Sequence, residues 1–216
     1  MKNKITKTLF TYLFLSLILQ MILIGIKNYE TPIIYTLGTI SNNILVLLAV
    51  SFINRYEIKE MFNKFKKKPA KNLKKNLIIW MIGFILMMVA NYIIIIIIPE
   101  GSITNEILVR EMYSKYLIAS FISFIIIVPM IEEIVFRLSF NNISNKYLYL
   151  ISSSLVFSVL HSLGSINNLI SIIYILPYLI LGITFGLVYY RSENVFDSIS
   201  IHSLHNLVVL ICYIIF

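Results

Sequence analysis

The sequence predicts an all-α, polytopic membrane helical bundle of about seven transmembrane helices, and two observations carry that prediction. Hydrophobic residues make up 59% of the chain and charged residues only 13%, against about half and about a quarter in a soluble domain. The charge is also segregated. No Lys, Arg, Asp or Glu occurs in 8–26, 31–54, 76–99, 116–131, 147–190 or 198–216. A helix needs about 20 apolar residues to cross a bilayer, and lipid offers no partners to an open strand.

Taken in order, crossings are expected over 8–26, 33–53, 77–98, 116–140, 147–163, 169–190 and 197–215. The 147–190 run is long enough for two, with the polar SLGSINN at 162–168 as the turn between them. The 116–131 run reaches crossing length only by continuing through Glu132 and Glu133. A single membrane domain, 1–216, follows, with three helices over 1–115 and a four-helix core over 116–216. MKNKITK followed by an apolar run has the outline of a signal peptide. The run is long, however, and no small-residue cleavage site follows it, so a retained first helix is expected. Cys212, the single cysteine, excludes an internal disulfide and is expected to be a packing residue of the last helix. The sequence holds no internal repeat, zinc-finger spacing or phosphate-loop pattern.

The net charge of +8 resides almost wholly in RYEIKEMFNKFKKKPAKNLKK, residues 55–75. Basic loops stay in the cytoplasm, so 55–75 is expected inside and the acidic loop 100–115 outside. That places the N-terminus in the cytoplasm and the protein across the cell membrane. The basic run is mainly a topology signal; it is also suited to anionic lipid headgroups. Nucleic acid is not an expected partner, because no folded domain accompanies the charge.

The stretch VPMIEEIVFRLSF (128–140) breaks the pattern by placing Glu132, Glu133 and Arg137 at the end of an apolar run. A charge near the centre of a crossing costs roughly 2.5–3.5 kcal/mol on insertion scales, and usually faces a cavity or a partner. The bland alternative is a salt bridge joining two helices. Glu133 and Arg137 stand at i and i+4 and share a face. Glu132 is turned about 100° away, without a local basic partner. A carboxylate tied to a guanidinium stays ionised. Glu132 is therefore the candidate for moving protons and Glu133 with Arg137 for a supporting clamp, roles that exchange if Arg137 snorkels toward the inner surface.

All three histidines fall in expected crossings: His161 in LVFSVLHSLG, His202 and His205 in SISIHSLHNLVV. A lone buried histidine is commonly a core residue; three of three beside two intramembrane carboxylates shift that balance. Counted from the inner ends of their helices, Glu132, His161 and His202 lie roughly 13, 21 and 16 Å deep. The three side chains can therefore meet in the inner half of the membrane. His202 and Asn206 share a face at i and i+4, with His205 about 60° off it. The Asn206 amide suits either a developing oxyanion or a hydrogen bond between helices.

In order, EEIVFR (Glu132, Glu133, Arg137), FSVLH (Phe157, His161) and HSLHN (His202, Asn206) resemble the motifs of the type II CAAX prenyl endopeptidases. These are also called Abi or CPBP intramembrane proteases. The resemblance covers about 116–216, and it departs from the family at Leu138, where members commonly have Gly, and at the additional His205. It implies a helical membrane protease cleaving near the inner surface. In it, Glu132 and His161 activate water while His202 and Asn206 support the oxyanion. It also implies a membrane-associated or lipidated peptide as substrate, in peptide maturation, bacteriocin immunity or surface-protein processing. A metalloprotease version would use Glu132, His161 and His202 as a two-His, one-carboxylate set for a divalent ion such as zinc, although HExxH is absent. Two other classes use the same residues: a non-proteolytic membrane partner that holds a peptide or lipid, and a proton-coupled transporter.

Overall fold

The computed structural model describes residues 2–27, 32–67, 72–99 and 104–215, and among them every regular element is helical. Two helices, α1 (Lys2–Lys27) and α2 (Pro32–Ile53), form a hairpin. The chain then turns through 93° into α3 (Arg55–Lys67). Next come α4 (Leu73–Ile97), α5 (Thr104–Lys115) and α6 (Leu117–Asn142). The last three are α7 (Lys146–Ser165), α8 (Ile170–Ser192) and α9 (Val195–Ile215). Five of these, α4 and α6–α9, are long and apolar enough to cross a membrane, or six with the bent α2–α3 pair. Seven crossings exceed what the described residues support.

Polarity runs from outside in. Helix α4 exposes Met81, Ile82, Ile85, Leu86 and Val89 but buries Asn76, Gly83 and Met87. Across the bundle, Ser153, Ser154, Ser158, Ser162, Ser198, Glu133 and Arg137 are buried. Apolar surface has no reason to hide where the solvent is lipid; polar groups do. The core helix is α8, packed between α4 and α7. Two glycines set those approaches: a Cβ on Gly83 would lie 2.1 Å from Thr184 Oγ1, and one on Gly182 would lie 3.0 Å from the Ser154 backbone.

Two segments expected as loops are helices. In α3, Ile58, Met61, Phe62 and Phe65 recur at helical spacing; Met61 is buried, and Phe62 and Phe65 pack against Phe196 of α9 with tilted rings. Asn194 donates to the Met61 carbonyl at 3.0 Å and locks the α8–α9 turn to the same helix. In α5, Glu111 pairs with Lys115 at 2.7 Å, an i,i+4 contact. Net charge alone hid the amphipathic pattern of α3. Between α7 and α8, the expected polar turn closes on Asn168 and Ser171, whose side chains bond each other's backbone N–H groups at 2.9 Å. Cys212 is exposed and lines the central cavity, which corrects its assignment as a packing residue.

Candidate active site

Helix α6 is not a uniform α-helix. Wide π-type turns over Phe121–Ile127 and Ile134–Leu138 flank a short α segment, Val128–Glu133, that carries both carboxylates. Such turns recur at functional sites because they re-aim side chains. A proline explains the first of them locally. Val128 N–H bonds to Ser123 O, five residues back, so the next carbonyl, Phe124 O, would look to residue 129. Pro129 has no N–H. Asn206 Nδ2 supplies the missing donor from α9, at 2.7 Å. The interhelical role anticipated for Asn206 is thus made, and the amide keeps one further N–H.

Glu133 lies at the closed end of the site with no solvent exposure. Arg137 Nε donates to its Oε2 at 3.2 Å, and the Ser198 hydroxyl donates to the same oxygen. His202 Nδ1 lies 3.0 Å from Oε1. A carboxylate held by a guanidinium only accepts, so His202 carries its proton on Nδ1 and turns Nε2 toward the cavity. Arg137 also donates to Ser153 Oγ at 3.3 Å and lies over the Phe157 ring at 5.4 Å.

Glu132 faces the cavity instead. His161 Nε2 lies 3.3 Å from Oε1 and His202 Nε2 3.7 Å from Oε2. His161 Nδ1 is 2.8 Å from the Phe157 carbonyl, which can only accept. Nδ1–H is therefore committed to that carbonyl. A hydrogen bond between Nε2 and Glu132 then needs one proton shared by the two groups, the minimum equipment of an acid–base pair. Phe157 and Tyr178 pack against the His161 ring, with centroids at 4.2 and 5.1 Å.

His205, grouped with the other histidines by sequence alone, turns aside. Trp80 Nε1 donates to its Nδ1 at 3.4 Å, and its ring packs edge-on against Phe84 and Phe185. Sequence reasoning missed Ser198, Ser153 and Trp80; only Ser198 carried a signal, one helical turn before His202.

The residues proposed for zinc converge, but not as ligands. Among the described residues no group of three His, Cys, Asp or Glu side chains is arranged to hold a metal ion. The metalloprotease assignment finds no support in this donor geometry.

A bundle of apolar helices that encloses two carboxylates, a guanidinium and two facing imidazoles defines a multi-pass membrane protein with an internal acid–base centre. Residues 114–208, which hold every one of those groups, match the family described as Type II CAAX prenyl endopeptidase Rce1-like. UPF0177 protein YxdF of Lactococcus lactis subsp. lactis (strain IL1403) is 29% identical over 156 residues, covering 66% of this chain and 81% of that protein. UPF0177 protein YbdI of the same strain is 27% identical over 150 residues, covering 64% and 77%. No solved structure gives a significant match.

Proposed function

We propose that the protein is an intramembrane endopeptidase that hydrolyses a peptide bond in a membrane-associated or lipidated peptide. The observation that carries this reading is the 3.3 Å contact between Glu132 and His161 at the wall of a cavity of about 890 Å³. That volume lies at the upper end of the range for ligand-binding cavities. A water bound beside the two groups loses a proton to the pair as its oxygen attacks the scissile carbonyl carbon. The same proton then passes to the leaving amine as the C–N bond breaks. His202, whose Nδ1–H stays on Glu133, would support the developing oxyanion from its Nε2 side when that nitrogen also carries a proton, with the second Asn206 N–H beside it. Glu133 and Arg137 hold His202 in place without touching the reacting atoms.

The expected setting is the cell membrane with the N-terminus in the cytoplasm, lipids around the bundle, and α6–α9 as the catalytic half. Purified wild-type and Glu132→Gln proteins, compared on short lipidated and unlipidated membrane peptides, test the proposal. Cleavage by the wild type alone supports it. Equal cleavage by both, or none by either on any peptide, counts against it.

A further inference from the structure

The cavity has a mouth, and the helices around it agree on where that mouth lies. On α4 the lining runs from Phe84 to Asn91, in the half remote from Leu73. On α6 it spans Phe124 to Glu132 and stops well short of Asn142. On α7 it takes Phe157 and His161, remote from Lys146, and on α8 Pro177 to Leu181, remote from Ser192. On α9 it extends from His202 to Tyr213, about 16 Å at the α-helical rise.

Short turns join α6 to α7, α7 to α8 and α8 to α9, so successive spans run antiparallel. All these halves therefore lie at one end of the bundle, the end crossed by α5. The other end is shut by Asn194 on Met61, by Phe196 against Phe62 and Phe65, and by the fully buried Glu133 and Arg137.

Helix α3 gives these ends their sides. It turns 93° from α2 and carries Arg55, Lys59, Lys64, Lys66 and Lys67 against Glu57 and Glu60. A basic amphipathic helix lying across the end of a bundle belongs on the cytoplasmic surface. We infer that the cavity is loaded from the opposite, extracytoplasmic face, and that its substrate is an apolar peptide segment already presented on that face. The peptide part of this inference rests on the proposed endopeptidase activity; the direction of entry does not. It reverses the inner-surface cleavage that the family resemblance implies.

The walls fit such a segment. Phe84, Met87, Met88, Leu181 and Val209 make them mostly apolar, and His202-to-Tyr213 depth matches about five residues of extended chain. Apart from Glu132 deep in the cavity, charge lies at the rim, where Glu106 and Arg110 of α5 line the opening. The Arg110 guanidinium lies 5.7 Å from the Tyr213 ring centroid.

The chain's single cysteine makes the test direct, because Cys212 lines the mouth in the native sequence. Intact cells expressing the full chain are exposed to a membrane-impermeant maleimide, then lysed and treated with a mass-tagging maleimide. Two further chains are treated alike, each with one thiol on a Cys212→Ser background: Asn91→Cys on the far wall of the cavity, and Lys59→Cys on α3. The expected result is loss of later tagging at Cys212 and Asn91→Cys, with tagging at Lys59→Cys lost only after permeabilisation. Protection of either cavity thiol in intact cells, or blocking of the α3 thiol from outside, would overturn the inference. Glu132→Gln is expected to keep the Cys212 labelling pattern while losing hydrolysis. A failure of entry from outside is thereby read separately from a failure of the protease reading.

Discussion

Glu132 and Glu133 are chain neighbours, yet they occupy two different regions. Glu133 belongs to a sealed floor in which Arg137, Ser198 and His202 surround both oxygens and no surface is exposed. Glu132 belongs to the cavity wall, where its two oxygens face imidazole nitrogens at 3.3 and 3.7 Å and no cation fixes it. The rotation between consecutive helical residues is enough to separate them. One carboxylate is held as a structural charge. The other is free to carry a proton, and acid–base work needs that freedom.

Substitutions on each side should separate the two regions. Glu132→Gln keeps the shape of the cavity wall and removes the base, so turnover should fall by about 10²–10⁴-fold. Its melting temperature in detergent should stay near that of wild type. A large loss of stability there would erase the distinction between wall and floor. Arg137→Ala should do the converse, leaving Glu133 as an uncompensated buried charge at a cost of about 3–5 kcal/mol. Thermal unfolding of the purified protein would report it, and Arg137→Lys should rescue poorly because one ammonium cannot reach both Glu133 and Ser153.

Ser198→Ala removes one donor to the same carboxylate and should cost about 1.5–3 kcal/mol. In a double-mutant cycle it should couple to Glu133→Gln and not to Glu132→Gln. Asn206→Leu strands the Phe124 carbonyl, at about 1–3 kcal/mol. It should lower kcat more than it raises KM if its second N–H meets the oxyanion. Last, exhaustive chelation should leave turnover unchanged, since among the described residues no three His, Cys, Asp or Glu side chains are arranged to hold a metal ion; recovery of activity only on adding zinc would contradict this.

Much of the site was legible in advance because it is local. The i,i+4 spacing of Glu133 and Arg137 matches the ion pair seen at 3.2 Å, and the depth count brought Glu132 and His161 to one level. What escaped was partner choice across helices. Sequence spacing placed His205 beside His202, yet the rotation between them sends one ring to Glu133 and the other to Trp80. Pro129 was in plain view, but its consequence, a carbonyl needing Asn206, depends on how α9 lies against α6.

By itself, the sequence determined that the chain is helical and membrane-bound, because apolar runs of crossing length leave the backbone no other way to satisfy its hydrogen bonds. It also determined that charge at 132–137 must be matched inside the bundle. Only the tertiary structure decided which groups from other helices close around each carboxylate: Ser198 and His202 on Glu133, His161 on Glu132. The same is true of α5 lying over one end of the cavity while α3 closes the other. Those outcomes depend on side chains remote in sequence meeting at a few ångströms, and helical periodicity carries no information about the rotation and tilt of one helix relative to another.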